Sequence, residues 1–182
     1  MAFAIRDIRS QLEFGGARPA LFNINITNPI NTSGDTKLGF MARAGQIPAS
    51  TLGTVEVGYF GRKIKIAGDR TFAEWTVTVV NDEDFRIRNA MEEWMSAINL
   101  HESNTRLINS KPGTYKSQGD VQQFAKAGHR LRNYKFTGLW PTEVSTIDLD
   151  WNTTDTIEEF TVTFQYDYWT VNGVTGDAGT RL

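Results

Sequence analysis

Apolar and polar residues alternate one for one through most of this chain. Phe22, Ile24 and Ile26 are separated by Asn23 and Asn25, and Val55, Val57 and Tyr59 by Glu56 and Gly58. Ile64 and Ile66 stand between Lys63 and Lys65, and Trp75, Val77 and Val79 between Thr76 and Thr78. Tyr134 and Phe136 flank Lys135; Ile147, Leu149 and Trp151 flank Asp148 and Asp150. The longest run sets Phe160, Val162, Phe164, Tyr166 and Tyr168 against Thr161, Thr163, Gln165 and Asp167. A period of two puts one side-chain set on each face of a strand, so each run predicts a strand with one buried face. Their β-branched and aromatic residues suit a pleated surface. The pattern predicts a mainly β (α+β) fold of antiparallel strands. Its expected core includes Phe22, Ile24, Trp75, Val77, Trp140, Trp151, Phe160 and Phe164.

One segment changes period. Asp82, Glu83 and Asp84 follow Asn81, and then Ile87, Met91, Trp94 and Ile98 recur at helical spacing. Acids at a helix start oppose the macrodipole favourably, and Asn81 or Asp82 is the expected N-cap. This predicts one amphipathic helix near 82–98, laying Trp94 against the outside of the sheets. Two stretches lack a period, "NPINTSGDTKLG" from Asn28 and "ARAGQIPASTLG" from Ala42. The first reads as a long hairpin tip or loop and the second as a polar connection of small residues. The chain divides into an arm, 1–16, a single domain, 17–169, and a C-terminal tail, 170–182.

Composition narrows the function. The 182 residues are 40% hydrophobic and 22% charged with a net charge of −2, as in an ordinary globular protein. No apolar run approaches the roughly 20 residues of a membrane span, so membrane insertion is not expected. Charges at Arg6, Asp7 and Arg9 break up a signal-like start, which implies synthesis in the cytoplasm. There is no cysteine, and two histidines, His101 and His129, offer little to a metal. Sequons at Asn25, Asn31 and Asn152 have no secretory context and read as coincidence.

Catalytic signatures are absent: no nucleophile elbow, no H-E-x-x-H helix and no phosphate-cradling loop. No catalytic residue, metal site or cofactor is expected, and the chain does not read as an enzyme. Asp148 and Asp150 share a predicted strand face without a third ligand, as on a solvated face. "RLRNYKF", from Arg130, interleaves bases with aromatics, but Tyr134 and Phe136 belong to the core face. Charge is unevenly spread, with seven Lys or Arg against Asp120 over 106–140, and eight Asp or Glu against Arg181 over 141–182. Two solvated faces, or two complementary surfaces for neighbouring copies, both fit that distribution.

Five phrases in order give the chain a family resemblance. They are "ARPALFNINI", "GRKIKIAGDRTFAEWTVTVVNDEDF", "KPGTYK", "GLWPTEVSTIDLDW" and "EEFTVTFQYDYW", running from Ala17 to Trp169. In these it resembles the major tail tube protein of contractile-tailed, T-even-like bacteriophages. The resemblance implies an antiparallel β-sandwich or barrel with one flanking amphipathic helix, and a virion structural protein made in the host cytoplasm. Subunits of that family join strands into a ring-wide β-barrel, and the hexameric rings stack into a tube. The implied partners are copies of the chain, a sheath outside, a baseplate, a tape-measure protein, and DNA that passes without tight binding. Asp148 and Asp150 then become candidates for lumen or inter-ring charges. The chain departs from the family pattern in "NPINTSGDTKLGF" and beyond Trp169. Rival readings are the tube of a type VI secretion system or contractile bacteriocin, and a monomeric β-sandwich binding module. Genomic neighbours would separate the first rival, and a monomeric mass at high concentration the second.

Overall fold

The structure, a computed structural model, describes residues 5–12, 16–106 and 111–173. Nine strands and three helices follow in chain order among them. They are α1 (Ile5–Gln11), β1 (Phe22–Ile26), α2 (Asp35–Met41), β2 (Ala42–Gly45), β3 (Ser50–Tyr59), β4 (Arg62–Phe72), β5 (Trp75–Val80), α3 (Arg86–Ile98), β6 (Ser117–Phe124), β7 (Arg130–Val144), β8 (Glu159–Gln165) and β9 (Tyr168–Gly173). Every strand pairing is antiparallel.

The long strand β7 holds two sheets together. Its residues Arg130–Leu139 pair with β6 and Arg132–Thr137 with β9, while Trp140–Val144 pair with β8. The resulting order is β1-β6-β7-β8-β5-β2, with β9 added on β7. Between β1 and β2, at the two ends of that order, no ladder forms, so the barrel stays open within one chain. The crossing from β8 to β9 occurs at Tyr166 and Asp167, where the Asp167 amide donates to the Thr137 carbonyl (2.9 Å). Gly138 makes this corner with φ +73°, and a Cβ there would run into the Asp167 side chain. The sequence pattern of 160–168 reads as one strand; the corner makes it two, in different parts of the sheet.

The core is the inward set of those alternating residues. Ile24, Trp75, Val77, Trp94, Phe136, Phe160, Val162 and Phe164 are all buried. Trp75 stacks on Phe136 with centroids 4.3 Å apart and planes 15° from parallel. Phe22 and Trp140 are half-buried at the margin of this cluster. Trp151 is a correction: it is 99% exposed. Residues 145–158 form no strand, because Asp150 turns the chain. Its Oδ1 accepts from the Asn152 amide (3.0 Å) and its carbonyl from that of Thr153 (3.1 Å). The alternation through Ile147, Leu149 and Trp151 therefore has no ladder to act in, and Asp148 and Asp150 share no strand face.

The helix stripe is where its spacing places it, with Ile87, Met91 and Trp94 buried and Ile98 partly so. Its start differs. The acids 82–84 form a turn ahead of the helix, and the N-cap position falls to Phe85 at φ 48°. Lys37 pairs with both Asp82 and Asp84, holding these carboxyls below their usual range and its own ammonium above it. Those acids therefore pin α2 to the turn, while Asp84 Oδ1 also accepts from the Arg86 amide at the start of α3 (3.1 Å).

The segment expected to be a loop from Asn28 is ordered by one buried amide. Asn28 is fully buried; its Nδ2 donates to the Ala90 carbonyl on α3 (2.9 Å). Its Oδ1 accepts from the amides of Ile30 (2.9 Å) and Asn31 (3.2 Å). A 3-10 turn, Thr32–Gly34, then leads into α2, whose Leu38 enters the core. Polarity had hidden this element, since its only core residue of any size is Leu38. Asn28→Ala leaves a buried carbonyl and two amides without partners. It is expected to cost about 2–3 kcal/mol, read from urea unfolding, and Asn28→Asp is expected to do no better, because its second carboxylate oxygen would face the Ala90 carbonyl.

Candidate assembly surface

β3 and β4 form a two-stranded sheet of their own, pairing with each other and with no other strand among the described residues. Ten and eleven residues give an arm about 30 Å long. Register places Val55 opposite Ile66, Val57 opposite Ile64 and Tyr59 opposite Arg62. One face of the arm is therefore almost wholly apolar. The other carries Glu56, Lys63 and Lys65, with Lys63 at 2.9 Å and Lys65 at 3.8 Å from the Glu56 carboxylate. The predicted alternation is present, yet its apolar side covers no part of the core. Val55, Val57, Tyr59, Ile64 and Ile66 are between 47% and 67% exposed. A lone two-stranded hairpin is at best marginally stable in water, and an apolar face of this length marks a contact surface.

At the tip, Phe60 and Gly61 connect the strands with φ of +43° and +77°. Positive φ at both central residues makes a two-residue hairpin turn whose favoured sequence is Asn-Gly. Gly61 suits it; an aromatic residue at the first position does not. Phe60 is 89% exposed and touches Tyr59 edge to face.

The root of the arm is firmly held. Phe72 packs near Tyr166 and Trp169, with centroids 6.0 and 6.2 Å away, and the Ala73 amide donates to Ala49 (3.3 Å). The Tyr166 hydroxyl donates to the Ala73 carbonyl (2.5 Å), and burial pushes its pKa up to about 12. An unfolded tyrosine titrates near 10, so between pH 10 and 12 the unfolded chain gives up this proton first. The stability from Tyr166 is complete below pH 10 and is lost as pH rises through that window. The loss is on the order of 2 kcal/mol. Unfolding curves at pH 9 and pH 12 are expected to converge by that amount in Tyr166→Phe.

A second exposed feature is the segment between β7 and β8. Its two ends are pinned: the Ser145 amide donates to Thr161 (2.8 Å), the Thr161 amide to Ser145 Oγ (2.8 Å), and the Asn81 amide to Glu158 (2.8 Å). Arg88 of α3 donates to the Ser145 carbonyl (3.1 Å) and lies over the Phe160 ring. Between those anchors Leu149, Trp151 and Ile157 stand exposed among Asp148, Asp150 and Asp155. They border an open groove of about 640 Å³. Sequence reasoning chose Asp148 and Asp150 here but placed Trp151 inside, because an acid at every second position is also the pattern of a strand with one buried face. No group of three potential metal ligands occurs among the described residues. Nor is any described helix long and apolar enough to cross a membrane.

The fold, an open antiparallel barrel with flanking helices and a projecting hairpin, is shared with chains of contractile injection machines. A chain of the sheath–tube complex of the extracellular contractile injection system PVC, in its extended state, superposes with a TM-score of 0.61 at 14% identity. That match covers 95% of this chain and all of the other. A chain of the anti-feeding prophage baseplate gives 0.63 at 13% identity, covering 88% and 97%. The sequence is more specific. Residues 13–172 match the family described as phage tail tube protein. The tail tube protein gp19 of Enterobacteria phage T4 is 36% identical over 167 residues, 91% of this chain and 98% of that protein. A tail tube protein of Serratia phage KSP90 is 28% identical over 119 residues, 65% and 66% of the two chains. The chain belongs to the phage tail tube family. It is a structural protein of the virion, a component of a contractile tail, and not an enzyme.

Proposed function

We propose that six copies of the chain close into a ring, that rings stack into a hollow tube, and that viral DNA passes through it. The observation that carries this reading is the β3–β4 arm, whose apolar face has no partner among the described residues. A surface of that kind is costly for a monomer and becomes core when a neighbour covers it. The free edges of the open barrel supply a second means of joining, since unpaired backbone groups accept a strand from the next copy. Contacts between unlike surfaces generate rings where the rotation closes, and ring faces that differ stack without limit.

Conduction asks little chemistry of the wall. Each cation lining the path would add a phosphate contact and its counterion release, so an acidic or neutral lumen fits the function. A sheath outside, a baseplate below and a tape-measure protein inside during growth complete the expected partners. Sedimentation across a range of concentrations tests the self-association. A steep passage from monomer to very large species is expected, and a monomer at every concentration would defeat the reading.

A further inference from the structure

Two exposed surfaces of this chain complement one another, and they lie on different parts of it. The arm tip presents Tyr59, Phe60 and Arg62, followed by Lys63 and Lys65. Its bases outnumber its one acid, Glu56, and its aromatic pair points into solvent. The 146–158 segment presents Leu149, Trp151 and Ile157 within a run of Asp148, Asp150, Asp155 and Glu158 that contains no base. The nearby Arg43 is already paired with Glu159.

Phe60 adds an independent sign. A bulky residue held in the left-handed region at a turn where asparagine is preferred is strained, and strain of this kind collects at functional positions. Among the described residues nothing rewards the choice of an aromatic residue, because the one ring it contacts there is Tyr59 at the same tip. A receiving site elsewhere would. The acidic segment is held at both ends and opens a groove of about 640 Å³, ample for an aromatic side chain and the turn that carries it.

We propose that the β3–β4 tip of one copy seats in the acidic 146–158 groove of a neighbouring copy. Phe60 packs on Leu149 and Trp151, and Arg62 lies beside Asp148. The pairing rests on the tube reading and specifies it further. Because tip and groove are different surfaces, the contact is head-to-tail and leaves each copy with one free tip and one free groove. It therefore propagates through an assembly rather than ending in a dimer. Opposite charge at the two surfaces also favours the correct encounter over tip-to-tip collisions.

Cross-linking reads the contact directly, since the natural chain has no cysteine. In assembled protein carrying Phe60→Cys and Trp151→Cys, a short bismaleimide is expected to produce a covalent ladder; either single variant alone should produce none. Phe60→Cys with Phe40→Cys tests another exposed aromatic site, and a ladder there instead would overturn the assignment. Assembled tubes without any Phe60–Trp151 bridge would overturn it too, while leaving the tube reading intact. A natural chain that never assembles would defeat the tube reading itself.

Charge exchange covers the case in which the cysteines weaken assembly. Arg62→Glu and Asp148→Arg should each raise the concentration needed for assembly about fivefold or more. The two together in one chain should return it to near the natural value, and no recovery in the double variant would refute the pairing. Phe60→Asn completes the set: its hairpin is expected to be at least as stable, and its assembly weaker.

Discussion

Trp75→Ala is expected to destabilise the folded chain by about 3–5 kcal/mol, the range for removing a large aromatic side chain from a packed core. Trp75 is fully buried. Its ring stacks on Phe136 and lies 5.4 Å from that of Phe164, so it joins β5, β7 and β8 at one point. Nε1 donates to the Gln46 carbonyl (2.8 Å), tying the β2–β3 connection to the core. Alanine would empty the stack and strip that carbonyl of its donor in the same step. Against a typical stability of about 5–15 kcal/mol this is a large share, and a fall in Tm of roughly 10 °C or more follows. Trp75→Phe keeps one ring of the stack while losing the hydrogen bond and part of the packing, so it should fall between. An unchanged Tm in the alanine variant would show that the ring is not a keystone of the sheets.

The opposite signature is expected on the arm. Val57 and Ile64 are cross-strand partners on its exposed apolar face. Val57→Lys with Ile64→Glu replaces them by an oppositely charged pair, which preserves the hairpin. The monomer should unfold at nearly the natural temperature, because neither side chain is in the core. Assembly should suffer severely. Burying such a side chain stabilises by about 1.5–3 kcal/mol, so losing two raises the assembly concentration about a hundredfold or more. A variant that assembles normally would show that this face stays in water. The contrast between Trp75 and Val57 separates what holds the subunit together from what joins subunits, although both lie in alternating runs.

That contrast also marks what the sequence can reveal. Alternation identified the strands around Ile24, Trp75, Phe136 and Phe160 because a half-buried strand needs one apolar side chain in two. The same rule holds for Val55 to Ile66, but period two does not say whether the apolar face meets its own chain or another. Trp151 shows the converse error. Its segment alternates, yet a pleat requires a partner strand, and the Asp150 turn withdraws the chain from any. Helix α2 was illegible because a seven-residue helix with one buried leucine carries too little pattern, and its order comes from Asn28 reaching α3 across 62 positions. Pairings of that kind belong to the tertiary fold. The family phrases succeeded where periodicity stopped, since residues 13–172 match the phage tail tube family whatever face each residue takes.

Electron microscopy of the purified chain at high concentration tests the central claim most directly. Rings with six-fold rotational averages, stacked into tubes with an open axial channel, are the expected result. Uniform single particles of about 20.5 kDa with no rings at any concentration would contradict it.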